Sequence, residues 1–296
     1  MSIAFTKMNS QGNDFIIVDN TSQKIKFTSK LILSMCSRDS IGCDQLLVLK
    51  LLSANSVECI IFNQDSTEAK QCGNGLRAVM LYLKLKHNLS SCSICIGRET
   101  YKARYIDPNN ISVEMGPPLF VTESPTVKLN ADFSIEYKKN YCHVKSLKDT
   151  DKLTFSYAPI SVGNFHCIVF SSDCFSQKEA ISDILTSIYD DGANISFLLN
   201  YDELIINPNL NLIIRVNERG SGWTKSCGSA ASAAGAFCIH NFLREKYKQN
   251  DINVEQEGGV LNISWSATSE LTNQTNNLTL VGPSTYEYDD TWNEKL

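Results

Sequence analysis

Two segments 155 residues apart read alike, and they set the architecture. Cys72 stands in Gln71-Cys72-Gly73-Asn74-Gly75, and Cys227 stands in Ser226-Cys227-Gly228-Ser229-Ala230. After each come Gly, a small hydrogen-bonding residue and a run with helical periodicity. That run is Leu76, Val79, Met80 and Leu83 in the first case, and Ala230, Ala233, Ala234, Phe237 and Cys238 in the second. Upstream features repeat in the same order. Gly12-Asn13 precedes Cys72 by 59 residues counted from Asn13, and Gly163-Asn164 precedes Cys227 by 63 counted from Asn164. Between them lie Ile41-Gly42-Cys43-Asp44 and Asp191-Gly192-Ala193-Asn194, whose glycines precede the cysteines by 30 and 35 residues. Three matches in one order point to an internal duplication.

The expected fold class is therefore α+β. Two similar, pseudo-symmetric α/β domains are predicted, each a mostly antiparallel sheet wrapped around a central helix, with the active site in the cleft between them. Strands are predicted at Phe15–Asp19, Leu46–Leu51, Glu58–Asn63, Ser93–Ile96, Tyr101–Tyr105, Ile111–Met115, Phe155–Val162, Cys167–Phe170, Ile195–Leu199, Leu212–Val216 and Val260–Trp265. Gly116-Pro117-Pro118 reads as a linker. Residues 1–118 form the expected first domain, carrying Cys72. Residues 119–278 form the second, carrying Cys227. The C-terminal run Leu278–Tyr288 reads as a strand, and 279–296 is expected to complete the first domain.

Composition narrows the function classes. A net charge of −5 with no basic block argues against nucleic acid as a partner. No apolar run approaches the roughly 18 residues of a membrane span, and the N-terminus lacks the pattern of a signal peptide. A cytoplasmic location follows as the expectation, with the eleven cysteines reduced. Cys92 and Cys95 form the one CxxC, in a segment that reads as a strand. No second CxxC completes a zinc site, so no metal is expected. Cys36, Cys43, Cys59, Cys142, Cys167, Cys174 and Cys238 read as buried small hydrophobes.

A thiol at a helix N-terminus is open to activation, because the helix dipole and free N–H groups favour the thiolate. Either motif alone is an ordinary helix start; the matched pair points to two thiols acting on one substrate. Few reactions need two weak bases, and inversion at a carbon centre is one. Removing an amino-acid α-proton often relies on pyridoxal phosphate as electron sink. No phosphate-binding loop with an attendant Lys is present here, and no cofactor is expected. One base takes the proton and the other returns one. A thiol pKa of about 8.5 keeps both protonation states within reach. Backbone N–H groups at the two helix starts can hold a carboxylate, with Gly73 and Gly228 allowing close approach and Asn74 and Ser229 adding donors. His166, two residues past Asn164, is a candidate for tuning a thiol, against the ordinary reading as a satisfied core histidine. In Glu218-Arg219-Gly220, Arg219 suits a carboxylate and Glu218 an ammonium, with a surface ion pair as the competing reading.

These residues resemble the diaminopimelate epimerase family over nearly the whole length. The signatures are Lys7-Met8-Asn9-Ser10-Gln11-Gly12-Asn13-Asp14-Phe15, Gly42-Cys43-Asp44-Gln45-Leu46-Leu47, Phe62-Asn63, Gln71-Cys72-Gly73-Asn74-Gly75-Leu76-Arg77, Gly163-Asn164-Phe165-His166, and Glu218-Arg219-Gly220-Ser221-Gly222-Trp223-Thr224 before Ser226-Cys227-Gly228-Ser229. The resemblance implies a pyridoxal-independent isomerase that interconverts LL- and meso-2,6-diaminopimelate on the lysine and peptidoglycan route. It implies Cys72 and Cys227 as proton donor and acceptor, and His166 and Glu218 join them as catalytic candidates. It implies Asn13, Gln45, Asn63, Gly73, Asn74, Asn164, Asn194, Glu218, Arg219, Gly228 and Ser229 as substrate-binding, and a homodimer. The chain departs from the family pattern at Asn9-Ser10, Ala78, Phe165 and Ala230. Competing readings are a proline or hydroxyproline racemase-type enzyme, a catalytically silent relative, and a thiol-disulfide or metal-binding protein.

Overall fold

Short apolar runs rich in β-branched residues pass through most of the chain, and they form strands. The computed structural model describes residues 2–120, 133–138, 140–147, 153–266 and 277–293. In chain order the first elements are β1 (Ser2–Ser10), β2 (Asn13–Asp19), α1 (Ser29–Cys36), β3 (Gln45–Ser53), β4 (Ser56–Asn63) and β5 (Glu68–Ala69). Next come α2 (Gly73–His87), β6 (Ser91–Ile96), β7 (Glu99–Asp107), β8 (Asn110–Gly116), β9 (Leu119–Phe120), β10 (Phe133–Tyr137) and β11 (Cys142–Ser146). Then follow β12 (Thr154–Ser161), β13 (Phe165–Val169), α3 (Lys178–Ile188), β14 (Asn194–Leu198), α4 (Tyr201–Ile206), β15 (Leu212–Glu218) and β16 (Gly222–Thr224). The chain closes with α5 (Gly228–Cys238), α6 (Arg244–Tyr247), β17 (Asp251–Gln256), β18 (Gly259–Trp265), β19 (Leu278–Gly282) and β20 (Thr285–Asn293). It divides into two units, Met1–Glu114 with Leu280–Leu296, and Met115–Thr279. Within the C-terminal segment 279–296, residues 294–296 lie outside the described residues.

In the first unit the strands run in the order β20, β1, β2, β3, β4, β6, β7, β8. Two pairs are parallel, β2 with β3 and β4 with β6, and each is bridged by a helix, α1 and α2 respectively. A parallel pair needs such a crossover, whereas hairpins supply the antiparallel pairs. The β1–β2 hairpin turns on Gln11 and Gly12, both with positive φ, 58° and 90°. That is the two-residue turn whose twist matches the strands, and it sets Asn13 opposite Ser10. Helices cover both faces of β2 and β3, so their sequences are continuous apolar runs rather than alternations. Ile16, Val18, Leu46 and Val48 pack with Leu31, Ile32 and Met35 of α1. On the opposite face Leu47 meets the start of α2. Leu76, Val79, Met80 and Leu83 of α2 are all buried, each worth roughly 1.5–3 kcal/mol relative to exposure.

The second unit repeats this plan. Its strands run β10, β11, β12, β13, β14, β15, β17, β18. The parallel pairs are β13 with β14, bridged by α3, and β15 with β17, bridged by α5. The succession β1, β2, α1, β3, β4, β5, α2, β6, β7 thus recurs as β12, β13, α3, β14, β15, β16, α5, β17, β18, with α4 inserted and α6 following α5. Pseudo-symmetry is thereby a property of the topology as well as of the motifs. α5 is buried at every position, which explains its alanines. The small side chains let the sheet approach closely, as at Gly235, where an added Cβ would lie 2.8 Å from Ile263. A five-residue π-helical turn, Ile239–Leu243, carries α5 into α6.

One expectation needs correction. The run Leu278–Tyr288 is not a single strand but two, β19 and β20, interrupted at Pro283-Ser284. Pro283 has no N–H for a ladder, and the Ser284 N–H is used elsewhere, on Pro108 O at 3.3 Å.

Candidate active site

Both key cysteines are helix N-caps in extended conformation. Cys72, at φ −151° and ψ 104°, opens α2, and Cys227, at φ −133° and ψ 114°, opens α5. Cys72 is half-buried, and its Sγ accepts from Gly75 N–H at 3.3 Å. Beneath it lies Arg77, fully buried. The guanidinium donates to Pro283 O at 3.2 Å, Gln11 Oε1 at 3.1 Å and Asn74 Oδ1 at 3.1 Å. Burial draws Arg77 down to about 10, opposed by the nearby Cys72 sulfur. Arg77 is thus a cation at neutral pH, and a buried cation near Cys72 favours the thiolate.

Asn13 and Gln45 stand at the starts of β2 and β3. Their neighbours form a clamp. Arg38 donates to both Asp14 oxygens, at 2.7 and 2.9 Å, and to Asp44 Oδ1 at 2.6 Å. Asp14 N–H donates to Asp44 Oδ2 and Asp44 N–H donates to Asp14 Oδ1, each at 3.0 Å. Lys7 adds a bond to Asp14 at 2.5 Å and another to Gly42 O. Burial works against an ionised Asp14, but the bonds from Arg38 and Lys7 outweigh it and hold the carboxyl well below the usual range. Gln45 Nε2 donates to Asn63 Oδ1 at 3.0 Å. Asn13 Oδ1 and Gln45 Oε1 are buried acceptors without a hydrogen-bond partner among the described residues. Such groups are costly unless a ligand or water satisfies them.

In the second unit the polar residues converge on Cys227. Asn164 Nδ2 donates to Ser229 Oγ at 3.1 Å, and His166 Nε2 lies 3.0 Å from Asn164 Oδ1 and 3.1 Å from Ser229 Oγ. Ser229 Oγ in turn lies 3.4 Å from Cys227 Sγ, within hydrogen-bonding reach. His166 is fully buried, and burial lowers its pKa to about 3, so it is a neutral imidazole. Cys227 is raised well above the ordinary thiol range, first by burial and then by the charge of Glu218, while Ser229 acts the other way. Burial likewise raises Glu218, against the bonds from Thr224 and the Cys227 thiol. The Thr224 hydroxyl donates to Glu218 Oε1 at 2.5 Å. Cys227 therefore rests as a thiol, with a carboxyl beside it able to accept its proton. Asn194 ties three segments, donating to Phe165 O at 2.8 Å and accepting from Arg219 N–H at 3.1 Å. Arg219 is exposed, lies over Gly192 and donates to Asp191 O at 2.7 Å.

The expected residues are divided between the units: Asn13, Gln45, Asn63, Cys72, Gly73 and Asn74 lie in the first, and Asn164, His166, Asn194, Glu218, Arg219, Cys227, Gly228 and Ser229 in the second. Arg77, Thr224 and Arg38 belong to the same constellations through contacts that spacing alone does not reveal. Cys92, by contrast, is buried in β6 and donates to Ser93 O at 3.5 Å.

Over its residues 5–121 the chain matches the sequence profile described as diaminopimelate epimerase. It is 36% identical to the diaminopimelate epimerase of Blochmanniella floridana, across 96% of this chain and 98% of that protein. The chain belongs to the diaminopimelate epimerase family. The diaminopimelate epimerase of Buchnera aphidicola subsp. Baizongia pistaciae is 31% identical, covering 98% of this chain and 95% of the relative. The family fold extends to distant solved structures. A Bacillus anthracis phenazine biosynthesis protein of the PhzF family superposes with a TM-score of 0.66 at 14% identity, covering 99% of this chain and all of that one. A hydroxyproline epimerase from Agrobacterium vitis, solved with trans-4-hydroxy-L-proline, gives 0.63 at 10% identity, covering 98% and 92%. At such identities the likeness concerns the fold alone.

Proposed function

We propose that this protein interconverts LL- and meso-2,6-diaminopimelate by a cofactor-independent two-base reaction, in the supply of lysine and peptidoglycan precursors. The observation that carries the reading is the pair of N-capping thiols at equivalent points of the repeated plan, in a chain of this family. One thiolate removes the α-proton, and the other thiol returns a proton to the opposite face. Glu218 accepts the Cys227 proton to generate the base, and Ser229, held by Asn164 and neutral His166, stabilises the thiolate that forms. Arg77 does the same for Cys72 by charge. N–H groups of Gly73, Asn74, Gly228 and Ser229 receive the α-carboxylate as its charge is shared with the carbanion. Asn13 and Gln45, with their unsatisfied carbonyl oxygens, suit an ammonium, and Asn63, Asn194 and Arg219 complete the polar set.

A cytoplasmic setting with reduced cysteines is part of this reading. No described helix is long and apolar enough to cross a membrane. A homodimer through β20 is part of this reading; the strand presents Tyr286 and Tyr288 half-exposed.

The test is incubation of the reduced protein with LL-diaminopimelate in deuterated water, followed by NMR. Deuterium at the α-carbon of newly formed meso product is expected, with Cys72→Ser and Cys227→Ser each lowering turnover by orders of magnitude. Exchange with proline but not with diaminopimelate moves the assignment to the racemase-type enzymes. Exchange with neither leaves a catalytically silent relative.

A further inference from the structure

The backbone of Cys227 has a partner outside every motif that marks the site. Gln256, at the end of β17, is buried. Its Oε1 accepts from Cys227 N–H at 2.8 Å, and its Nε2 donates to Cys227 C=O at 3.4 Å. The pair of bonds fixes the amide's orientation, since its oxygen only accepts and its nitrogen only donates. Cys227 is extended, and in extended backbone a residue exchanges both its N–H and its C=O with one partner across a ladder. The Gln256 carboxamide closes the same two-bond ring from a side chain, standing in for a neighbouring strand at the point where β16 has ended and α5 begins.

Cys72 Sγ is bonded to its own helix through Gly75 N–H at 3.3 Å, and Cys227 Sγ meets α5 through Ser229 Oγ at 3.4 Å and the Ala230 backbone; only the Cys227 backbone is in addition held by a side chain from another strand. The Cys227 C=O already starts the helix by accepting from Ala231 N–H at 3.0 Å. With the N–H and C=O both engaged by Gln256, φ and ψ of Cys227 are pinned, and with them the direction of the Cα–Cβ bond that carries Sγ toward Ser229 and Glu218. The dihedrals are thus held from β17 as well as from inside the helix.

We propose that Gln256 is a positioning residue for Cys227, a carboxamide that fixes the thiol's direction by holding both backbone polar groups of its residue. The proposal rests on reading Cys227 as one of the two reacting thiols.

The experiment compares Gln256→Met, which keeps the length and removes both bonds, with Gln256→Glu, which keeps the shape. Two readouts are taken on the full-length protein: kcat and KM with LL-diaminopimelate, and the rate of iodoacetamide alkylation of Cys227 relative to Cys238, mapped by peptide mass spectrometry. Cys238 is fully buried at the far end of the same helix and reports general loosening. For Gln256→Met, kcat is expected to fall about 10- to 100-fold with KM nearly unchanged, the cost of a small misplacement of a reacting group. Alkylation of Cys227, but not of Cys238, is expected to accelerate. Gln256→Glu behaves the same way at pH 8, because a carboxylate oxygen faces the Cys227 carbonyl. It regains a slow Cys227 alkylation ratio as the pH falls and the protonated acid donates again, which the Met variant cannot do.

An unchanged Cys227-to-Cys238 ratio in both variants overturns the proposal, as does acceleration of both thiols together. Should Gln256→Met fail to fold, the pH response of Gln256→Glu decides. Lack of wild-type turnover would sink the proposed reaction, yet the alkylation ratio would still decide whether Gln256 aims the thiol.

Discussion

Adding one methyl group to each of the two thiol-bearing helices is expected to have opposite effects. In α5, a methyl on Gly235 would lie 2.8 Å from Cγ2 and 2.9 Å from Cβ of Ile263 in β18. Ordinary contact begins at 3.4 Å, so helix and strand must part by about 0.6 Å. Turning the Ile263 side chain gives no relief, because Cβ is fixed to the backbone of β18. Overpacking of this kind costs about 1–3 kcal/mol, and the better helix propensity of Ala returns up to about 1 kcal/mol. The net expectation for Gly235→Ala is a loss of about 1–2 kcal/mol, a melting temperature lower by about 2–8 °C. In α2, a methyl on Gly75 meets Cys72 Cβ and Sγ and Leu47 Cδ1, all at 3.5 Å, which is ordinary contact. Gly75→Ala therefore keeps the propensity and unfolded-state gains, about 0.5–1 kcal/mol, and raises the melting temperature. Urea and thermal unfolding of the two variants and wild type settle it. A Gly235→Ala protein as stable as wild type would show that α5 and β18 separate freely, refuting the view that the wrapped sheet fixes the girth of this helix.

Protonation of His166 should make stability depend on pH. Its pKa is about 3 in the folded protein against 6.5 in the unfolded chain, so the unfolded state binds the proton first and stability falls as pH drops below about 6.5 toward 3. Urea midpoints across that range should fall more steeply for wild type than for His166→Gln, and equal slopes would argue against a buried neutral imidazole. The Tyr157 and Tyr189 hydroxyls, 2.7 Å apart and buried, should couple. Each single Phe variant takes one partner from the other hydroxyl and leaves it only a thiol, Cys142 for Tyr157 and Cys167 for Tyr189, at about 1 kcal/mol, while the double variant should cost less than the sum of the singles; additive costs in the double-mutant cycle would show the bond to be idle. Replacing Arg38 by Met leaves Asp14 and Asp44 facing each other, with a loss of about 1 kcal/mol because Arg38 is half-exposed. Asp44→Asn on top should recover part of it, and no recovery in thermal melts would mean that carboxylate repulsion is not the cause.

Several features were readable in the residues because they are local. Helix starts at Cys72 and Cys227 follow from Gly, small polar residues and a 3.6-residue period, and the repeat follows from their spacing to the upstream Gly-Asn turns. α1 was missed because eight residues give barely two turns of pattern, although Thr28 caps it by accepting from Leu31 N–H. β10 and β11 were missed because their partly exposed alternation around Lys138-Lys139-Asn140 is weak. The break at Pro283-Ser284 has a local signal, Gly282-Pro283-Ser284, that the single-strand reading passed over. Arg77 reads as a polar residue on an apolar helix, and only the C-terminal return explains it. Gln256 gives no local signal, since its partner lies 29 residues away across a helix.

That return has a consequence for biogenesis. Residues 115–279 form one uninterrupted stretch, whereas the unit that holds Cys72 draws on Leu280–Leu296 as well. Arg77 reaches Pro283 O, Ser10 bonds Ser284 at 2.9 Å, and β1 pairs with β20 along nearly its whole length. Until that segment is added, β1 has an open edge and the Arg77 guanidinium lacks one of its acceptors, Pro283 O. The first-made half is therefore the last to be finished. A released chain truncated after Thr279 retains the whole second unit with Cys227 and lacks the strand that closes the first.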